Sequence, residues 1–221
     1  MKKTVLLLVI IFVLGAGWAA GWFFVANTVE QALETGKTRL ASQDKIFQCP
    51  NQEINGFPFR INLTCAETTY IDNAQGFSFE AGELRSAAQA YQPGKAVVEV
   101  DGPAVMVVGS RDTYDLKWDT LRASFTAGLS GVETFSSVGT KVTVKPANPI
   151  QEPFVIENFQ AHSRKAEVND VDMALLSTGI ASQNALWPEF DLTLNVRFAD
   201  VYDALLKNPD LKKITQRQGL S

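Results

Sequence analysis

The chain has few of the residues on which most enzyme sites depend. Its 221 residues include one histidine, His162, and two cysteines. A Ser–His–Asp hydrolase needs its histidine oriented by a carboxylate and its serine on a shaped turn, and no Gly-x-Ser-x-Gly motif occurs. A zinc site needs more thiolates or imidazoles. The composition predicts a protein that is not an enzyme and binds no cofactor and no metal, with a carboxylate-dependent enzyme as the weaker alternative.

Two groups of acidic residues are the remaining candidates for a cation site. Asp170 and Asp172 lie two residues apart, and Asp112 and Asp115 lie three apart. Calcium takes six to eight oxygen ligands and is usually held by a glycine-bearing loop, which neither segment has. Both groups are therefore predicted to be polar turns or solvent-facing positions.

Charge is missing from residues 5–26, a stretch of 22 apolar or small residues. A helix of that length rises about 33 Å, enough for the hydrocarbon of a bilayer. Lys2 and Lys3 precede the stretch and no comparable positive excess follows it, which predicts a cytoplasmic amino terminus. Trp18 and Trp22 share one helical face, as aromatic residues at a membrane interface do. The alternative is a cleaved signal peptide, although its apolar core usually has only about 7–15 residues.

The rest of the chain is acidic. Without Lys2 and Lys3, 18 basic and 24 acidic residues remain, a net charge of −6. This balance argues against nucleic acid as a partner, because a nucleic-acid surface is itself strongly negative.

Cys49 and Cys65 bracket a predicted hairpin. Asn55-Gly56 is a strong signal for a type I′ turn, in which both central residues need positive φ. From Phe59 to Cys65, apolar and polar side chains alternate, as in a strand with one buried face. In an oxidising compartment the two cysteines are predicted to form a disulfide, worth about 3 kcal/mol in the chain-entropy model.

The predicted organisation has four parts. They are a cytoplasmic tail at 1–4, a transmembrane anchor at 5–26, a juxtamembrane helix at 27–44 and a β-rich periplasmic domain at 45–221. Within the last part, turn residues recur about every 8–12 residues, which favours an antiparallel meander over βαβ units. The predicted fold is therefore mainly β, a curved antiparallel sheet or a sandwich-like meander. Helices are also predicted near the carboxyl terminus, from residue 199 onward.

Apolar strands offer the main candidate site. Residues 104–108 are apolar at every position, so neither face of that strand is expected to meet water, and 154–159 and 192–198 add long apolar faces. One hypothesis is a closed core, and the other is a curved sheet with an open apolar groove for acyl chains. The candidate groove residues are Val105, Met106, Val107, Phe154, Ile156, Leu194 and Val196.

Several short motifs together resemble a known family. They are, in order, Cys49-Pro50-Asn51, Gly56-Phe57-Pro58-Phe59-Arg60, Cys65, Tyr91-Gln92-Pro93, Asp101-Gly102-Pro103 and Trp118-Asp119-Thr120-Leu121-Arg122-Ala123-Ser124. Their order over roughly residues 1–200 resembles the bacterial envelope family called domain of unknown function 2125. The chain is also similar, more distantly, to AsmA-like membrane-anchored β-sheet proteins implicated in envelope lipid traffic. Family members run on through a second β-rich half, so the resemblance implies a short member or a missing half, and it implies no activity.

Two functional hypotheses follow from the anchor, the apolar strands and the resemblance. The first is a single-pass inner-membrane protein whose periplasmic domain binds phospholipid or a lipid-linked ligand, or supports envelope lipid handling. The second is a membrane-anchored scaffold that contacts envelope proteins through the edges of its sheet and has no lipid groove.

Overall fold

The computed structural model describes residues 2–109, 112–128, 131–166, 169–184 and 186–201. Within these ranges one apolar helix precedes a single antiparallel sheet that curls into a half-barrel. The predicted fold, mainly β with one amino-terminal helix, is confirmed. Most of the predicted carboxyl-terminal helical region lies outside the described residues.

The described elements follow one another without a second helix between the strands. They are α1 (Lys2–Ala41), β1 (Lys45–Gln48), β2 (Glu53–Asn55), β3 (Arg60–Cys65), β4 (Thr68–Asp72), β5 (Phe77–Ala81), β6 (Leu84–Gln89), β7 (Gln92–Val100), β8 (Ala104–Val108), β9 (Asp112–Lys117), β10 (Thr120–Gly128), β11 (Gly131–Pro146), β12 (Phe154–Lys165), β13 (Val171–Ser182) and β14 (Phe190–Phe198).

Chain order and pairing together define nine long strands. β1 and β2 are the two halves of the first, and β3 with β4, β5 with β6, β7 with β8 and β9 with β10 are the next four. The halves that we call distal pair in the order β1-β4-β5-β8-β9, and the proximal halves pair in the order β2-β3-β6-β7-β10. Strands β11 to β14 are continuous and complete the sheet. Each long strand pairs with the next along the chain, which confirms the predicted meander.

A line of irregular residues separates the distal and proximal halves. On β11, Lys141 has φ 49°, and on β13, Gly179 has φ 63°. In the first five long strands the line consists of the short breaks between the two halves of each strand. Backbone hydrogen bonds join neighbouring breaks: the amide of Gly82, between β5 and β6, donates to the carbonyl of Asp101, between β7 and β8, at 3.0 Å. Because each such break disturbs the alternation of a strand, the long strands bend at one level.

On the two sides of this line, the apolar face of the sheet is formed by opposite sets of alternate residues. On β11, Phe135 and Gly139 occupy one set of alternate positions, whereas Val142 belongs to the other set. A Cβ atom on Gly139 would nevertheless lie 3.1 Å from Cγ2 of Val142 and 3.5 Å from Cδ1 of Leu121. The two sets therefore meet on one face, which we call the inner face, and the opposite face is the outer face.

The inner face carries the larger apolar side chains of both halves. In the proximal half these are Ile54, Ile61, Leu63, Leu84, Val98, Val100, Leu121, Phe125, Phe135, Phe159, Val171, Met173, Leu175, Leu192, Leu194, Val196 and Phe198. In the distal half they are Phe47, Tyr70, Phe77, Phe79, Met106, Val108, Tyr114, Leu116, Val142, Val144, Phe154, Ile156 and Ile180. Of all these, only Ile61, Val171 and Ile180 are buried. The inner face is thus an open apolar surface rather than a closed core.

The helix is continuous through both helical segments predicted from the sequence. It includes 5–26 and most of 27–44, and it is long and apolar enough to cross a membrane. Trp22 and Ala26 are buried against Ile61 on the proximal inner face. The helix thereby covers the inner face at the β2–β3 end of the sheet. The boundaries between tail, anchor and juxtamembrane helix stay predictions.

The cysteines lie on the line of breaks. The Sγ atoms of Cys49 and Cys65 are at disulfide-bonding distance, and their Cα atoms are 4.9 Å apart. Beside them the amide of Ala66 donates to the carbonyl of Pro50 at 3.1 Å. The pair joins the break between β1 and β2 to the break between β3 and β4.

The hairpin between the cysteines differs from the predicted type I′ turn. Gly56 has φ 109°, but Asn55 does not have positive φ. The connection contains four residues and closes with the amide of Arg60 donating to the carbonyl of Gly56 at 2.9 Å. Because Phe59 belongs to this connection, its side chain is 64% exposed, and the buried alternation begins at Ile61.

Two other segments differ from what their sequences suggest. Asp101-Gly102-Pro103 has the composition of a hairpin turn but does not connect a hairpin, because β7 pairs with β6 and β10 whereas β8 pairs with β5 and β9. The segment is instead one of the breaks within a long strand. The strand 104–108 was also expected to avoid water on both faces, but Val105 is 40% exposed and Val108 is 43% exposed.

Candidate functional site

The candidate site is an apolar groove on the proximal inner face between β11 and β14. Its volume is about 280 Å³. The lining residues are Phe135, Ala161, His162, Ser163, Met173, Ala174, Leu175, Leu194, Val196 and Phe198. Three of the largest remain accessible, since Phe135 is 40%, Met173 46% and Leu194 50% exposed. Apolar side chains that a sheet leaves this accessible form a surface for an apolar ligand or partner.

Strand register brings these residues together. Phe135 is opposite Ser163 on β12, and Ser163 is opposite Met173 on β13. In the next row, Ala161 is opposite Leu175, which in turn is opposite Leu194 on β14. Residues directly opposite each other share a face of the sheet. The small side chains of β12 therefore form the floor of a groove whose walls are the larger side chains of β11, β13 and β14.

The seven predicted groove residues are divided among three places. Leu194 and Val196 line the proximal groove. Met106, Phe154 and Ile156 lie on the distal inner face, in register with other apolar residues.

Val105 and Val107 lie on the outer face instead. Val105 is opposite Asp115 and Val107 is opposite Thr113, both on β9. Val105 lines a mostly polar cleft with Glu80, Asp115 and Lys145. The structure thus brings five of the seven onto the inner face.

The outer face behind the groove carries a polar cluster that the sequence analysis did not identify. Asp172 accepts a hydrogen bond from Nε of Arg197 at 2.6 Å and one from Nη2 of Arg164 at 3.1 Å. The bond from Arg197 and then that from Arg164 hold the pKa of the Asp172 carboxyl below its ordinary value. The three residues are on β12, β13 and β14 at directly opposite positions, a spacing that local sequence does not reveal.

The side chain of His162 lies on the outer face beside this cluster, where His162 is opposite Ser136 and Ala174. Its Nδ1 is 2.8 Å from Oγ of Ser136, and its Nε2 is 3.5 Å from Oε1 of Gln160. A histidine that activates a serine needs a carboxylate on its second nitrogen, and the partner here is an amide. The arrangement supports a hydrogen-bonded surface histidine.

The acidic residues also occupy separate positions. Oδ1 of Asp170 accepts the amide of Asp200 at 3.0 Å, whereas Asp172 is bonded to the two arginines. Within the described ranges no three histidine, cysteine, aspartate or glutamate side chains group closely enough to hold a metal ion.

The helix contributes a second feature that the sequence showed only in part. Nε1 of Trp18 donates to the carbonyl of Pro58 at 2.9 Å, and Nε1 of Trp22 donates to the carbonyl of Arg60 at 2.7 Å. The spacing of the two tryptophans indicated a shared helical face, but not the hairpin that they bind. The hairpin between β2 and β3 is thus held against the apolar part of α1.

The comparisons with known proteins agree with the resemblance noted from the motifs. The family model described as "uncharacterized protein conserved in bacteria (DUF2125)" matches residues 22–219. Neither a curated protein nor a solved structure matches the chain.

Proposed function

The chain belongs to the bacterial family of domain of unknown function 2125, and we propose that it is a non-enzymatic membrane protein that holds lipid acyl chains on its inner face. The observation that carries the proposal is the accessible groove lined by Phe135, Met173 and Leu194. The AsmA-like resemblance supports the same role, in which the protein takes part in the handling of envelope lipids.

The groove has a length suited to an acyl chain. Its lining residues on β14 run from Leu194 to Phe198, which is about 14 Å at about 3.4 Å per residue. One leaflet of hydrocarbon is about 15 Å deep, half of the bilayer core. The groove can therefore take a segment of acyl chain about as long as one leaflet is deep.

Binding in such a groove is expected to be reversible. Removing a methylene group from water contributes about 0.8 kcal/mol. A lipid in a bilayer is already in an apolar environment, however, so its transfer into the groove replaces one set of apolar contacts with another. This balance favours a role in which lipid enters and leaves over one in which lipid is a permanent part of the structure.

The contacts of α1 support retention of the helix rather than its removal as a signal peptide. Cleavage near residue 20 would separate Trp18 from the hairpin, and cleavage after Ala26 would also remove the buried ring of Trp22. Lys2 and Lys3 favour a cytoplasmic amino terminus. The sheet would then lie in the periplasm, an oxidising compartment that suits the cysteine pair.

The partners of the polar side chains near the groove support the non-enzymatic part of the proposal. The His162–Ser136 pair has an amide in place of a carboxylate, and the carboxylate of Asp172 is bonded to two guanidinium groups. These pairings leave neither residue arranged for general acid–base chemistry.

A second candidate function rests on the edge strand β14. Among the described strands, β14 pairs with β13 alone. Its Leu192 and Leu194 are 44% and 50% exposed. An edge of this kind can accept a strand from another protein, as expected of an envelope scaffold.

Photocrosslinking in the membrane tests the lipid proposal. The full chain would carry p-benzoylphenylalanine in place of Leu194, and lipid adducts would be identified by mass spectrometry after irradiation of bacterial membranes. Leu176 is the matched control, because it is 38% exposed on neighbouring β13 but points to the outer face. Lipid adducts at 194 and not at 176 are expected. Equal yields at both positions, or protein adducts alone at 194, would overturn the proposal, and the latter would favour the scaffold.

A further inference from the structure

The hairpin between β2 and β3 exposes aromatic side chains beside the apolar part of α1. Phe57 is 53% and Phe59 is 64% exposed. The ring of Phe57 lies 6.1 Å from that of Phe23, and the ring of Phe59 lies 6.4 Å from that of Trp18. The adjacent turn between β6 and β7 adds Tyr91, which is 66% exposed. We call Phe57, Phe59 and Tyr91 the aromatic rim.

The backbone fixes the rim at one level of the helix. Pro58 and Arg60 accept hydrogen bonds from the indoles of Trp18 and Trp22 at 2.9 and 2.7 Å. The amide of Ala90, next to Tyr91, donates to the carbonyl of Phe59 at 2.9 Å. The rim cannot move away from this level of α1 without breaking these bonds.

That level coincides with the end of a transmembrane span. About 20 apolar residues are needed to cross the hydrocarbon of a bilayer. Counted from Val5, the first residue of the uncharged stretch, such a span ends near Phe24. The rim contacts α1 between Trp18 and Phe23, which lie within that span. A helix that crosses the membrane therefore brings the rim into the lipid.

The chemistry of the rim suits this position. Tyrosine, like Tyr91, is enriched at membrane interfaces, where its ring can meet acyl chains and its hydroxyl can meet water. The rings of Phe57 and Phe59 have no polar group and suit the acyl-chain side of that interface. Arg60 follows the rim, is exposed, and makes no ion pair within the described part of the chain. A guanidinium at that level is placed to bind a lipid phosphate.

We propose that the aromatic rim enters the interface of the membrane that α1 spans, and that it holds the proximal end of the groove against the bilayer. The partner is a phospholipid surface. The inference rests on the membrane-anchored part of the proposed function. It specifies the end of the groove at which lipid would enter.

Four positions for p-benzoylphenylalanine in the full chain test it, in vesicles of phosphatidylcholine. Phe57 and Phe59 are the test positions. Leu8, within the uncharged stretch, reports whether α1 lies in the bilayer. Ile150 is the matched control, because it is a 91% exposed apolar residue in the connection between β11 and β12, at the distal end of the sheet. Lipid adducts are expected at 8, 57 and 59 and not at 150.

The outcomes separate this inference from the proposed function. Adducts at 8 without adducts at 57 and 59 would refute the insertion of the rim into the membrane but not the anchor. Equal yields at 57 and 150 would also refute the insertion of the rim. Absence of adducts at 8 would overturn the anchor itself. In a second measurement, Phe59→Asp should reduce the lipid adduct formed at position 194, whereas Ile150→Asp should leave it unchanged. An unchanged adduct in Phe59→Asp would refute the placement of the groove by the rim.

Discussion

Replacing Trp22 with phenylalanine should loosen the hairpin at 55–60. The indole is 7% exposed, and its Nε1 donates to the carbonyl of Arg60 at 2.7 Å. Phenylalanine keeps a ring in the site but leaves that carbonyl without its donor. An unsatisfied group in such a site costs about 1–3 kcal/mol. Because about 1.4 kcal/mol is a tenfold change in an equilibrium, the opened hairpin should become about 5 to 150 times more populated.

Hydrogen–deuterium exchange of the full chain in lipid vesicles measures this opening directly. The amide of Arg60, bonded to the carbonyl of Gly56 at 2.9 Å, should exchange faster in the variant. Amides of β12 and β13 should keep their rates, because these strands do not contact Trp22.

Trp118→Phe is the matched control. Its indole makes the same kind of bond, to the carbonyl of Val100 at 2.8 Å, but lies outside the hairpin at 55–60. Its loss should leave the exchange of the Arg60 amide unchanged. Equal exchange in the two variants, or acceleration across the whole sheet in Trp22→Phe, would show that the buried indole does not hold the hairpin.

The line of breaks and the outer cluster give two further predictions. Gly179→Ala should destabilise the sheet by about 1–3 kcal/mol, because φ is +63° and its Cβ would lie 2.8 Å from Glu157. Gly109→Ala, with φ +67° and open space around its Cβ, should cost less, and similar urea midpoints would contradict this. The lowered pKa of Asp172, caused mainly by Arg197, stabilises the fold above the ordinary aspartate pKa, and this is lost as pH falls through the lowered value. Circular dichroism should show the urea midpoint falling less on acidification in Asp172→Asn than in the unsubstituted chain, and identical pH profiles would refute the assignment.

The meander was predictable because its signals are local. Alternating apolar residues indicate strands, and turn residues that recur about every 8–12 positions indicate short connections between them. The line of breaks was not predictable in the same way. Lys141 has φ 49° although lysine gives no signal for positive φ, and Asp101-Gly102-Pro103 has the composition of a turn. Both positions are determined by pairing with neighbouring strands.

The candidate groove was predictable in composition but not in orientation. Val105 and Met106 are adjacent, so they must point to opposite faces of β8, and the sequence alone could not say which face is apolar. Pairing with Tyr114 on β9 and Phe79 on β5 places Met106 on the inner face. Phe135 was missed because polar residues flank it, and Met173 was missed because it follows Asp172 in a segment that was predicted to face solvent.

The direction of the strands relative to α1 connects the groove to the membrane. From Trp18 to Ala41 the helix rises about 35 Å at about 1.5 Å per residue. The first long strand then returns from Lys45 to Asn55, over at most about 33 Å at about 3.3 Å per residue, because the break at 49–52 shortens it. Because the indole bonds hold the returning hairpin beside Trp18 and Trp22, the first long strand runs back along the helix.

This geometry separates the place proposed for lipid from the strand edge proposed for a protein partner. If the aromatic rim enters the membrane as proposed, the proximal end of the groove lies beside the adjacent leaflet, from which an acyl chain could enter it. The edge strand β14 is the ninth long strand, on the side of the sheet opposite to the one that the helix covers. It would remain available to a protein partner whether or not the groove holds lipid. A lipid adduct at position 194 would therefore support lipid binding in the groove without excluding a protein partner at β14. Loss of that adduct in Phe59→Asp would show that lipid reaches the groove from the membrane beside the rim.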